Sequence, residues 1–143
     1  IIPGEVSLTG STRTFSRETR QELPKLLERL TKGVCESFGA SYEFRFTLGY
    51  ASVINDKKLT QVCRQVVDDA FGEQALFELE PLMPGEDFSA FLEHCPGFFM
   101  ELGARSEAKG CTVPHHNGHY LLDEDALPYG VEYLCRLVRD RLS

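Results

Sequence analysis

From Glu5 to Phe15 the chain alternates, with Val6, Leu8, Gly10, Thr12 and Thr14 on one side and Glu5, Ser7, Thr9, Ser11 and Arg13 on the other. A period of two is the pattern of a strand with one solvated face. At Ser16 the period changes. Ser16 can cap a helix with Glu18 in its first turn. Leu23, Leu26, Leu27, Leu30, Val34 and Phe38 then recur at helical spacing up to Gly39, a good stop. Pro24 falls inside this run, which predicts either a kink or a new first turn there. Alternation returns over Tyr42–Tyr50, with Tyr42, Phe44, Phe46 and Leu48 against Glu43, Arg45 and Thr47. The first fifty residues therefore read strand, long helix, strand, with the helix covering one face of the pair.

Beyond them, Asn55 or Asp56 caps a helix that carries Leu59, Val62, Cys63, Val66, Val67 and Ala70 on one face and ends at Gly72. Leu76–Leu79 reads as a short strand and Pro81–Gly85 as a turn. Glu86–His94 reads as a helix with Phe88, Phe91 and Leu92 inward, and Phe98–Leu102 as an apolar strand closed by Gly103. A long polar loop follows from Ala104 to Gly118. Asp123 or Asp125 caps a last helix, whose predicted buried stripe is Val131, Leu134, Cys135 and Val138. The layout is α/β or α+β, with a boundary near Ala51–Asp56. A unit of about fifty residues buries too little surface to be comfortable alone. One strand–helix–strand also leaves open sheet edges that seek partners. Both facts, and a start at Ile1-Ile2-Pro3 without an initiator Met, point to a fragment or an oligomer.

Composition narrows the function classes. The 143 residues are 42% hydrophobic and 26% charged, ordinary for a soluble globular protein. No apolar run approaches the roughly 18 residues that span a membrane. The net charge of −7, with no basic block, argues against a nucleic-acid partner, because that binding is driven by Lys and Arg on phosphates. The five cysteines are scattered without a C-x-x-C pair, which fits reduced thiols in the cytoplasm. Cys35, Cys63 and Cys135 sit at apolar helical positions and read as small core residues. Cys111, five residues before His116, has no paired spacing that would make it a ligand or nucleophile.

The candidate chemistry is concentrated late in the chain. Three of the four histidines, His115, His116 and His119, fall within Pro114-His115-His116-Asn117-Gly118-His119-Tyr120. Histidine is the commonest metal ligand, and loops on a rigid scaffold are where such residues collect; the other reading is a solvated loop. No H-E-x-x-H or other complete ligand set accompanies them, so a full catalytic metal site cannot be built from these residues. Gly85-Glu86-Asp87-Phe88 places two carboxylates at a helix start. There Glu86 and Asp87 either meet the helix dipole or orient a metal-bound histidine from behind. Arg13, on the polar side of its strand, is either solvated or available for a forked contact with a carboxylate.

Taken in order, these pieces resemble a known family. Ile1-Ile2-Pro3-Gly4-Glu5-Val6 with Gly10-Ser11-Thr12-Arg13-Thr14-Phe15, then Asn55-Asp56, Gly85-Glu86-Asp87-Phe88, Pro96-Gly97-Phe98-Phe99 with Leu102-Gly103, and His116 followed by Asp123-Glu124-Asp125-Ala126-Leu127-Pro128-Tyr129-Gly130, are similar to the C-terminal part of the metal-dependent aminoacylases and amidohydrolases. That group includes hippurate hydrolases, N-acyl-amino-acid amidohydrolases and auxin-conjugate hydrolases. The similarity covers essentially the whole chain, and six weak motifs in the right order are specific together. The chain departs from the pattern at Asn117-Gly118, where the family often has Pro, at His119-Tyr120-Leu121-Leu122, and at Pro24.

The resemblance implies that residues 1–52 complete a ferredoxin-like lid and dimerisation domain. It implies that residues 53–143 are the C-terminal portion of a metallopeptidase catalytic domain with a mixed sheet and flanking helices. It implies hydrolysis of the amide bond of N-acyl amino acids or small peptides, with two divalent metal ions (zinc, manganese, cobalt or nickel) per complete site. The implied partners are the N-terminal part of the same protein and a second copy through the lid. His116 matches the family's metal ligand, with His115 one residue early as second choice, and Arg13 matches the lid arginine that contacts the substrate carboxylate across the dimer. A non-catalytic dimerisation or small-molecule-binding module on the same fold is the alternative. On the enzyme reading, these 143 residues alone should show no hydrolysis of N-acyl amino acids, with or without added divalent metal, because a binuclear site needs more ligands than they offer. Metal-dependent turnover by the purified 143-residue chain would contradict it.

Overall fold

The computed structural model describes residues 1–142. They form two compact units, Ile1–Ile54 together with Glu80–His94, and Asn55–Leu79 together with the chain from Cys95 onward.

In the first unit the long helix α1 spans Arg17–Ser37. The Ser16 hydroxyl starts it by accepting the Thr19 N–H at 3.0 Å, which satisfies one of the donors a helix start leaves open. Gly39, at φ 65°, ends it, and Ala40 N–H returns to the Cys35 carbonyl at 2.9 Å. Pro24 lies inside α1 without ending it. The apolar stripe is in place, yet none of its residues is buried; Leu30, Val34 and Phe38 are exposed. The flanking segments are tied together by side chains. Ser52 Oγ donates to the Thr14 carbonyl at 2.9 Å, and the Arg20 guanidinium donates to the Gly49 carbonyl. The helix expected over Glu86–His94 is a single turn, α2, at Ser89–Leu92.

The second unit is built on a helix pair. Helix α3 spans Lys57–Phe71, and α4 spans Leu127–Leu142 after a tight turn at Glu124–Ala126. (Labels follow chain order within each unit.) Asp56 caps α3 by accepting the N–H groups of Lys58 and Leu59, each at 2.9 Å, and Gly72 closes it at φ 85°. Cys63, Val66 and Val67 of α3 and Tyr133 of α4 are buried together, with Phe71, Leu76, Phe98 and Leu137 packed around them. The Phe71 and Tyr129 rings meet edge to face at 5.6 Å. Leu102 comes so close to α4 that a Cβ on Gly130 would lie 3.1 Å from its Cδ2.

Two expectations are corrected. The segments read as strands, Glu5–Phe15, Tyr42–Tyr50, Leu76–Leu79 and Phe98–Leu102, form no ladder; among the described residues the β pairing is one antiparallel bridge, Ser106 to Cys111. The lid sheet and mixed sheet implied by an α/β or α+β class are therefore not seen here. Alternation specifies which side of a strand is wet, but a ladder also needs a second backbone in register. At Phe99 that backbone is replaced by a side chain. Asn55 Oδ1 accepts the Phe99 N–H at 2.8 Å, and Asn55 Nδ2 donates to the Phe99 carbonyl at 2.9 Å. Asp56 N–H donates to the Gly97 carbonyl beside it at 2.9 Å.

The second correction concerns α4. Val131, Leu134 and Val138 are 62%, 59% and 56% exposed and Cys135 is exposed, whereas Tyr133 is buried at 5% with Leu137 beside it. Apolar residues line two sides of this helix, and the contact with α3 selects the side that carries Tyr133. Of the thiols read as core residues, Cys63 is buried and Cys35 half-buried.

The Asp56 cap generates a stability test. Asp56→Ala should lower the unfolding free energy of the second unit by about 1 kcal/mol, within the range of 0.5–2 for loss of an N-cap. Urea denaturation followed by far-UV circular dichroism measures it. Because Asp56 fixes the first turn of the helix that carries the core, an unchanged midpoint would contradict this account.

Candidate functional site

The histidine loop runs from Cys111 to Asp123 within the second unit, and both feet are pinned. Ser106 and Cys111 exchange backbone hydrogen bonds at 3.0 and 2.8 Å. Between them Lys109 reaches across to the start of the last helix, where its ammonium pairs with Asp123 at 2.5 Å and with Asp125. Asp123 does three things at once. Its N–H donates to the Ala104 carbonyl at 2.9 Å, its carboxylate caps the Glu124–Ala126 turn through the Asp125 N–H at 3.0 Å, and the same carboxylate receives Lys109. The hydrogen bonds from Lys109, then that from the Asp125 N–H, hold the Asp123 carboxyl below the usual aspartate range. The two carboxylates hold Lys109 above the usual lysine range. Cys111 is buried, its thiol turned to the Lys109 carbonyl at 3.8 Å, and serves as part of the foot.

Between the feet the three histidines take three different roles. His115 Nε2 and the Tyr120 hydroxyl are hydrogen-bonded at 2.9 Å, with the two rings edge to face at 4.7 Å. His119 donates its backbone N–H to Asn117 Oδ1 at 2.9 Å, and Tyr120 N–H donates to the Asn117 carbonyl at 3.0 Å, so Asn117 organises the reversal. His116 is exposed and sits at φ 63°, the sole non-glycine residue among those described with a positive φ. That conformation is uncommon outside glycine, though histidine is enriched in it, and such residues cluster at functional positions. Among the described residues no hydrogen bond or ion pair engages the His116 ring, nor that of the exposed His119.

The remaining candidates lie in the first unit. Arg13 is exposed. Its Nη1 donates to the Thr12 carbonyl at 3.0 Å, and the guanidinium lies against Gly85, where a Cβ would meet Nη2 at 3.4 Å. Arg13 and the Gly85-Glu86-Asp87 segment are thus brought together. Glu86 is half-buried, and its Oε1 accepts the Phe88 N–H at 2.9 Å, which is the helix-start use of that carboxylate. Asp87 supplies its backbone carbonyl to the Ala90 N–H at 2.9 Å. Among the described residues no group of three or more His, Cys, Asp or Glu side chains could hold a metal ion. What the loop offers is two exposed imidazoles, His116 and His119, on a braced support, with His116 alone in the left-handed conformation. Sequence reasoning missed Lys109 and Tyr120. The aromatic residue directly after His119 was a legible signal, whereas the pairing of Lys109 with Asp123 and Asp125, 14 and 16 residues on, was not.

The model of the peptidase family M20/M25/M40 matches residues 4–140, and the chain belongs to this family. Among relatives, Probable hydrolase sll0100 of Synechocystis is 35% identical over 132 residues, covering 92% of this chain and 34% of that protein. The N-acyl-L-amino acid amidohydrolase of Geobacillus stearothermophilus is 51% identical over 55 residues, 38% of this chain and 15% of that one. Among solved structures, the Bacillus subtilis YXEP protein, a dinuclear metal binding peptidase from the M20 family, superposes with a TM-score of 0.73 at 29% identity, over 87% of this chain and 33% of that one. The chain spans about a third of the length of the curated relatives it matches along most of its own length. No helix of the described residues is long and apolar enough to cross a membrane.

The lysine clamp should respond to pH in a defined direction. Asp123 titrates below its ordinary value in the fold, so its stabilising contribution is present above the unfolded aspartate pKa, about 3.9, and is lost as pH falls through the lower folded value. Lys109 titrates above its ordinary value, so its contribution is complete at neutral pH and fades as pH rises through the folded value. Lys109→Met should therefore flatten the acid limb of the stability profile and increase hydrogen exchange at Asp123 and Asp125 at pH 7. Identical acid limbs for the two proteins would show that the clamp carries no linkage.

Proposed function

We propose that this chain is the C-terminal third of a metal-dependent hydrolase that cleaves the amide bond of N-acyl amino acids or small peptides. Family membership supports the reaction class, and the solved relative described as dinuclear and metal binding supports the divalent metals. The observation that carries the reading to this chain is His116, a free imidazole in a left-handed conformation on a loop pinned at both feet. Residues 1–52 would belong to the lid and dimerisation domain and residues 53–143 to the catalytic domain, in a cytoplasmic homodimer.

In this reading His116 holds one metal through its ring. Two divalent ions, when bound, polarise the scissile carbonyl and activate water. Arg13 holds the carboxylate of the amino acid in the partner subunit by a forked, charge-assisted contact. Glu86 and Asp87 act as supporting carboxylates in the complete protein. Glu86 can do so without giving up its N–H partner, since a carboxylate accepts more than one hydrogen bond. The remaining ligands and the proton-carrying Glu come from residues outside this chain.

The test uses the native protein that contains this sequence. His116→Ala should lose one metal per subunit by elemental analysis together with most of kcat on an N-acetyl amino acid, because removing a ligand opens a coordination position. His115→Ala should keep both metals, and His119→Ala should cost much less than His116→Ala. Arg13→Ala should raise KM by about 10- to 100-fold, the size of a lost hydrogen bond to a charged group, while leaving the metal content intact. If His115→Ala loses the metal and His116→Ala keeps it, the ligand is His115. If neither loses metal, the loop has no metal role, and a binding module on the same fold becomes the better reading.

A further inference from the structure

We infer that His115 and Tyr120 form a positioning clamp that withholds His115, leaves its neighbour His116 as the donor of the adjacent pair, and holds the His116 backbone in the left-handed conformation. The inference rests on the reading of His116 as a metal ligand and goes beyond it by assigning roles to two residues that do not bind the metal.

Two adjacent histidines are poor at discriminating for themselves. Each carries the same donor, and a flexible loop would present either ring or both. The structure removes the degeneracy. His115 spends its Nε2, the ring nitrogen farther from the backbone, on the Tyr120 hydroxyl at 2.9 Å, and the Tyr120 ring edge-on at 4.7 Å fixes the imidazole plane as well. A metal at that nitrogen would have to break the hydrogen bond. Among the described residues the His116 ring has no such engagement, and the His119 ring, which has none either, lies beyond the reversal.

The contact also demands a particular backbone. Residues five apart in an extended segment lie roughly 16 Å apart, at about 3.3 Å each; to touch, the chain must reverse between them. The reversal is made by His116 at φ 63° and by Asn117, which accepts the N–H groups of His119 and Tyr120. A non-glycine residue in that region costs of order 1–3 kcal/mol and persists only where its surroundings over-determine it. The His115–Tyr120 contact closes the reversal and so supplies that determination. Its position within the pinned segment, with Cys111 buried on one side and Lys109 on Asp123 on the other, means the clamp acts on a short tether.

Four variants separate the possibilities: His116→Ala, Tyr120→Phe, His115→Phe and His115→Gln, the last retaining a group that can hydrogen-bond Tyr120. The native protein containing this chain is stripped of metal and titrated with Zn²⁺ against a chromogenic chelator, with circular dichroism as a folding control. His116→Ala should lose one equivalent. Tyr120→Phe and His115→Phe should keep the stoichiometry but raise the dissociation constant of one site by about tenfold, the lower end of the effect of losing a residue that orients a metal-binding histidine. His115→Gln should recover most of that loss. A second readout needs no metal: in long-range ¹H–¹⁵N spectra of the metal-stripped native protein, the His115 Nε2 resonance should move in Tyr120→Phe while that of His119 stays. Should either phenylalanine variant fail to fold, the other and the spectrum still decide. Loss of metal in His116→Ala with wild-type affinity in the folded phenylalanine variants, or an unmoved His115 resonance, overturns the clamp and leaves the proposed function standing. Full metal content in His116→Ala overturns that function and the clamp with it.

Discussion

Tyr133 reaches from α4 into the apolar face of α3, where Cys63, Val66 and Val67 close over it, and the placement of the rest of the second unit is referred to that contact. Each buried aliphatic or aromatic side chain of this kind contributes about 1.5–3 kcal/mol relative to leaving it in water. Burial also holds the Tyr133 phenol above its usual range, with the Cys63 thiol beside it adding to the shift. With α3 and α4 fixed, Leu102 is set against Gly130 and Phe98 against the cluster. The chain between Phe98 and α4 is thereby anchored at one end. The turn that begins α4, carrying Asp123 and Asp125, anchors the other.

The histidine loop inherits its order from that frame. Asp123 is the junction, since it joins the helix start, the Ala104 backbone and the Lys109 ammonium. Lys109 in turn sits inside the small turn closed by the Ser106–Cys111 bridge. The span from Thr112 to Leu122 is short and pinned, and within it one local contact, His115 to Tyr120, separates the adjacent histidines into one occupied ring and one free donor, while His119 takes part in the turn through its backbone. Loops concentrate function when a rigid scaffold holds them; here the scaffold is two helices and an ion pair. That no group of three or more ligating side chains gathers among the described residues agrees with a chain that spans about a third of the relatives it matches.

The first unit follows a different logic. Helix α1 is capped by Ser16 and stopped at Gly39, so its ends are local matters. Its face of Leu26, Leu30 and Val34 stays exposed, and among the described residues no sheet forms beneath it. Arg13 is steadied by its own backbone neighbour and by the bare surface of Gly85, where a side chain would crowd the guanidinium. Glu86 gives its carboxylate to the Phe88 N–H.

Sequence alone determined what depends on near neighbours. Ser16, Asp56, Gly39 and Gly72 mark helix ends because capping and left-handed stops act within four residues of the chain. The helical stripe of Cys63, Val66 and Val67 was legible for the same reason. The histidine loop and the capping role of Asp123 could be read from residue type and spacing. Tertiary structure decided the rest. It chose Tyr133 over Val131, Leu134 and Val138 as the inner side of α4, because that helix is apolar on two sides and only its neighbour can select one. It left the alternating segments without ladders, because a strand's partner is a distant backbone that alternation does not name. It also separated His115 from His116, because two identical side chains in sequence become different only when one finds a partner, here Tyr120, and the other takes a different backbone conformation.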